Sequence, residues 1–179
     1  MPVVVILLMQ GSYPAALIVF AISGITDGLD GFFARALRQK TELGAYLDPL
    51  AVKALLISSF ATLSILGAIP GWLTVLVISR DCIILFGVSI LFFMSVPFEM
   101  KPALVSKLTT VLQIVCVIMV LVMLSMPSLS QPGQETFLAA KYPVLTVLFW
   151  LTAAVTVISG LTYIVKGIDY INRKPPQPA

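Results

Sequence analysis

Histidine is absent from the 179 residues, charged residues make up only 11% of them, and cysteine occurs twice. The missing histidine removes the commonest side-chain metal ligand, so any metal this chain holds is expected to be a hard cation on oxygen ligands. Cys82 and Cys116 each sit alone in an apolar run with no CxxC spacing, and they read as small buried hydrophobes rather than a disulfide or metal pair. Charge is scarce enough to exclude an ordinary soluble domain, in which about 25% of residues are charged. The formal excess of +3 lies in short clusters near segment ends. That arrangement offers no basic stripe along which a nucleic acid backbone could run, so no nucleic acid partner is expected. Repeats of solenoid length are absent too.

What fills the chain is apolar: 59% of residues are hydrophobic. Six runs are separated by Pro, Gly or charged residues, at Val3 to Met9, Ala15 to Leu37, Leu43 to Leu66, Trp72 to Met94, Ala103 to Met126 and Val144 to Tyr170. The last five are long enough to cross a bilayer, which takes about 20 residues as a helix. The first is too short. It lacks the basic start and small-residue cleavage site of a signal peptide, and is expected to be the outer end of a helix whose beginning is missing.

Lys and Arg set the expected orientation, because the cytoplasmic side carries their excess. Arg35, Arg38, Lys40 and Lys53 flank the second-to-third connection, Lys101 and Lys107 the fourth-to-fifth, and Lys166, Arg173 and Lys174 follow the last run. Alternating helices put all three regions on one side and leave Lys141 as the sole basic residue opposite. The C-terminus is therefore expected inside. Residues 1–174 form one transmembrane domain in this reading, and 175–179 a disordered tail.

Between Asp27 and Asp48 the pattern departs from a lipid-facing helix. Asp27 and Asp30 stand one turn apart, with Gly31, Ala34 and Arg35 continuing toward the cytoplasm, and Gly44 and Asp48 follow at i, i+4 on the next helix. Acids in a membrane segment face a cavity or a partner because lipid cannot solvate them. An antiparallel hairpin brings the three carboxylates together, and without histidine or thiolate they suit Mg2+ or Mn2+ and a phosphate-bearing substrate. The competing interpretations are helix packing by Gly24, Gly28, Gly31 and Ala34, and a buried ion network with Arg35, Arg38 and Lys53. A proton or ion relay would need polar residues in both halves of the membrane, and the outer halves here are almost purely apolar.

The run Asp27, Gly28, Leu29, Asp30, Gly31, Phe32, Phe33, Ala34, Arg35, then Gly44 and Asp48, resembles the signature of the CDP-alcohol phosphatidyltransferases, D-x-x-D-G-x-x-A-R followed by G-x-x-x-D. Eight residues separate Arg35 from Gly44, as in the family. The resemblance implies an all-α polytopic bundle of the family's six-helix type, here with the first helix truncated. It also implies transfer of a phosphatidyl group from CDP-diacylglycerol to a small alcohol such as glycerol 3-phosphate, with release of CMP. Asp27, Asp30 and Asp48 would be ligands of Mg2+ or Mn2+. Asp27, Gly31, Ala34 and Arg35 would receive the nucleotide, the glycine and alanine by leaving it room and the arginine by steadying its diphosphate. A homodimer among membrane lipids, in a bacterial inner membrane with its active site facing the cytoplasm, completes the expectation.

One position breaks the pattern. Where the family has a fourth Asp, taken to accept the proton of the attacking hydroxyl, this chain has Val52, which can neither bind a proton nor ligate a metal. Asp48 is then the candidate substitute base, and the alternative is a catalytically impaired member that binds CDP-lipid or serves as an assembly subunit. Farther along, Arg80 and Asp81 fall in the middle of the fourth run, where one of them at least must face the interior. As chain neighbours they diverge by about 100° and need not pair. Arg80, Lys107 and Thr110 are candidates for holding an acceptor or lipid phosphate. Of these, Lys107 and Thr110 belong with Ser106 and Gln113 to a stripe similar to one in the phosphatidylglycerophosphate synthase branch. Structural salt bridging by Arg80 and interfacial snorkelling by Lys107 are the other readings. Trp72, Tyr142 and Tyr163 need be no more than belt or packing aromatics.

Overall fold

The structure is a computed structural model that describes residues 2–36, 42–93, 104–126 and 142–172, with side chains described for 2–26, 52–87, 106–126, 142–165 and 167. The described residues form six helices and no strand. These are α1 (Pro2–Met9), α2 (Tyr13–Ala36), α3 (Glu42–Ile65), α4 (Gly71–Phe93), α5 (Leu104–Ser125) and α6 (Pro143–Asn172). The loop between α2 and α3, the expected connection after Met126 and the tail at 175–179 lie outside the described residues.

Two glycines decide where helices stop. Gly67 takes a left-handed φ of 77° after α3, the Ala68 amide donates to Leu63 O at 2.9 Å and the Gly67 amide donates to Ser64 O at 3.0 Å. This is a Schellman cap, which satisfies carbonyls that would otherwise be orphaned at the helix end. Gly11, with φ 71°, ends α1 in the same way, through the Ser12 amide to Leu7 O and the Gly11 amide to Leu8 O. At the other kind of terminus, Pro143 opens α6, where its missing N–H removes no helical bond.

Packing follows the chain order only in part. α5 lies against α6, α2 and α3, α4 lies against α6 and α3, and α1 lies against α2 and α3. One buried cluster runs through the contact, including Val4 and Leu8 of α1, Leu56, Phe60 and Leu63 of α3, Leu73 of α4, Leu121 and Leu124 of α5, and Leu145 and Phe149 of α6. Short as it is, α1 therefore belongs to the core. Large apolar side chains also cover the exterior at helical spacing, among them Ile18, Ile22 and Ile25 on α2 and Val147, Leu151, Ile158 and Val165 on α6. Apolar residues inside and outside alike are what a bilayer permits, where association rests on close packing more than on escape from water.

Among the described residues, two helical stretches are long and apolar enough to cross a membrane, Ser106–Ser125 and Pro143–Val165. By length alone all of α2 to α6 would suffice, at 24, 24, 23, 22 and 30 residues. The other three differ in content. α2 and α3 offer shorter apolar stretches, Tyr13–Thr26 and Val52–Ile65, because the acids occupy the remainder, and α4 carries Arg80 and Asp81 at its centre. Most hydroxyls in the spans bond their own helix: Thr152 Oγ1 donates to Leu148 O at 2.8 Å and Ser125 Oγ to Leu121 O at 2.7 Å. Such back-bonding lets a polar side chain sit in an apolar medium.

Candidate active site

Asp27, Asp30, Gly31, Ala34 and Arg35 lie on α2, and Gly44 and Asp48 on α3, two helices that contact each other. Their side chains are outside the described set. The donor chemistry of these positions is three carboxylates with no histidine anywhere in the chain, a set that fits Mg2+ or Mn2+ and would not hold a softer metal well. Val52, one turn beyond Asp48, is half-buried and packs against the hydrophobic core.

Next to Val52 begins a polar node in the interior. Lys53 Nζ stands 3.4 Å from Asp81 Oδ1, and the same oxygen accepts from Arg80 Nη1 at 2.5 Å. Arg80 Nη2 donates to Ser106 Oγ at 2.8 Å and to Ser159 Oγ at 2.6 Å. The Tyr163 ring lies under the guanidinium, with its centroid 5.9 Å from Arg80 Cζ. Four helices are joined by one arginine and one aspartate: α3 through Lys53, α4 by the pair itself, α5 through Ser106 and α6 through Ser159 and Tyr163. Arg80 is 3% exposed and Asp81 1%.

Adjacent residues on a helix point apart, so sequence spacing alone argues against the Arg80–Asp81 pair. It forms because the long arginine chain can curl its guanidinium back to its neighbour, where the interior offers Arg80 no water. Gly160 lets α6 come close: a Cβ there would lie 3.6 Å from Arg80 Cγ, an ordinary contact with the stem. Among the described residues, Arg80 Nε has no hydrogen-bond partner.

On α5, Ser106, Thr110 and Gln113 follow one face, while Lys107 is turned out and exposed. Thr110 Oγ1 donates to Ser106 O at 3.2 Å. Gln113 is 1% exposed and, among the described residues, its Nε2 has no partner, as is true of Ser59 Oγ on α3. Of the acceptor-phosphate candidates, then, Arg80 is already engaged by three protein groups, Thr110 is half-buried and back-bonded, and Lys107 is open to the surroundings.

Sequence reasoning missed Ser159 and the link from Lys53 to Asp81. The signal for the second was available, since a lone acid mid-helix needs a cation. Nothing in the sequence singles out Ser159, 79 residues from Arg80, among the hydroxyls of α6.

The family model for CDP-alcohol phosphatidyltransferases matches residues 1–158. The chain is similar to the cardiolipin synthase (CMP-forming) of Homo sapiens, 32% identical over 178 residues, which is 90% of this chain and 56% of that protein. It is similar to the CDP-diacylglycerol–glycerol-3-phosphate 3-phosphatidyltransferase of Bacillus subtilis, 29% identical over 154 residues, 86% of this chain and 73% of that one. A probable phosphatidylglycerophosphate synthase of Mycobacterium tuberculosis is 46% identical over 63 residues, 35% of this chain and 30% of that one. The chain spans about half the length of the curated relatives it matches.

Proposed function

Because the chain belongs to the CDP-alcohol phosphatidyltransferase family, we propose that it transfers a phosphatidyl group from CDP-diacylglycerol to a small alcohol in phospholipid synthesis and releases CMP. The observation that carries the reading is the family match over 1–158 together with the three acids on the contacting helices α2 and α3. Glycerol 3-phosphate is the acceptor we assign, supported by the name of the Bacillus subtilis relative. The chain is a membrane protein, a reading its two apolar spans and its family support together. The excess of Lys and Arg near the acid-bearing end supports a cytoplasmic orientation for that end and for the C-terminus. A bacterial inner membrane is the proposed location, in keeping with the bacterial organisms of two of the relatives.

In this reading Asp27, Asp30 and Asp48 hold Mg2+ or Mn2+, which when bound polarises the phosphoryl oxygens and offsets their charge. Arg35 steadies the diphosphate, with Asp27, Gly31 and Ala34 around the nucleotide. Lys107 and Thr110, with Arg80 behind Ser106, bias the acceptor's phosphate toward the node. The acceptor oxygen forms a new bond to the β-phosphorus, the one that carries diacylglycerol, as the bond between that phosphorus and the bridging oxygen breaks. CMP leaves with the bridging oxygen, and Asp48 takes the hydroxyl proton.

A second reading has a specific observation in its favour. Val52 is seated against the core where the family's base is expected, which supports a member that binds CDP-lipid without turnover. One assay separates the two: CMP release from CDP-diacylglycerol and glycerol 3-phosphate, with Mg2+ or Mn2+ and with EDTA, for this chain beside Val52→Asp. The first reading expects metal-dependent release by the parent and a rise in the variant that stays below the roughly 10²- to 10⁴-fold worth of a general base, because Asp48 already supplies part of it. The second expects a silent parent, retained CDP-lipid binding, and turnover only in Val52→Asp. Silence of both proteins, with no CDP-lipid bound, overturns the assignment.

A further inference from the structure

We draw no further inference here: the strongest candidate, the exposed face of α4 on which Trp72, Val75, Ser79, Cys82 and Phe86 follow one another at alternating steps of three and four residues, carries none because nothing in the structure shows what covers it.

Discussion

Asp81→Asn tests the node most directly, because the substitution keeps the shape of the side chain and removes only its charge. Arg80 and Lys53 then lose the sole acid among the described side chains, and Arg80, 3% exposed, loses the carboxylate that its guanidinium bonds. Breaking a buried pair from one side costs about 3–5 kcal/mol, since the surviving charge is stranded. Lys53 adds little to that figure because its contact is long and partly exposed, a class of ion pair worth roughly 0–1 kcal/mol. The lower end, about 3 kcal/mol, is the expected loss, because Arg80 and Asp81 are covalent neighbours and stay close in the unfolded chain. At roughly 2–4 °C per kcal/mol for a chain of this length, Tm falls by about 6–12 °C. The assay is thermal unfolding in detergent, with Arg80→Met/Asp81→Leu alongside. That double variant replaces the pair by apolar volume and is expected to lose less than Asp81→Asn alone. A single variant within about 2 °C of the parent, or a double variant less stable than the single, would refute the account of a stranded charge.

Two further substitutions follow from the same physical reasoning. Gln113→Leu removes an Nε2 that is buried without a partner among the described residues, and it is expected to raise stability by about 1 kcal/mol, read as a Tm increase of a few degrees; a decrease would mean the amide is bonded. Gly67→Ala forces a side chain into a φ of 77° at the Schellman cap of α3, and it is expected to cost about 1–2 kcal/mol with no change in ligand affinity; an unchanged Tm in denaturation scans would count against the cap.

The element boundaries were legible because apolar runs are bounded by groups with unambiguous local physics. The run expected from Leu43 to Leu66 is the helix Glu42–Ile65, and the one from Trp72 to Met94 is Gly71–Phe93. Gly67 and Gly11 carry their stop signals in the residue type itself. What the sequence could not give is the company a residue keeps. The seven-residue run at Val3 to Met9 reads as a fragment, yet Val4 and Leu8 are 1% and 0% exposed, because their burial depends on α2 and α3 lying across them. Trp72 reads as a belt or packing aromatic, and in the fold its ring sits 5.2 Å from that of Trp150, tilted by 37°, a partner 78 positions away that no local pattern names.

The site divides in the same way. Its acids are legible as a motif because spacing on one helix is local information, and placing α2 against α3 needs only a short loop. The node around Arg80 is legible as a problem and illegible as a solution: a charge at mid-helix announces that partners exist, while packing alone selects Ser106 and Ser159. The fold also bears on the alternative of a proton or ion relay through the membrane, which would need polar groups along the whole path. At the end opposite the acids, where α1 turns into α2 and α3 into α4, the buried cluster includes Leu8, Leu63, Ile69, Leu73, Leu124 and Leu145, each 2% exposed or less. The buried hydroxyls of Thr62 and Thr74 toward that end donate to the carbonyls of Ser58 and Phe60, whereas among the described residues the charged side chains that are not exposed, Lys53, Arg80 and Asp81, gather in the node. Charge gathered at one level suits a membrane-surface transferase, since its charged nucleotide enters and leaves from water on one side.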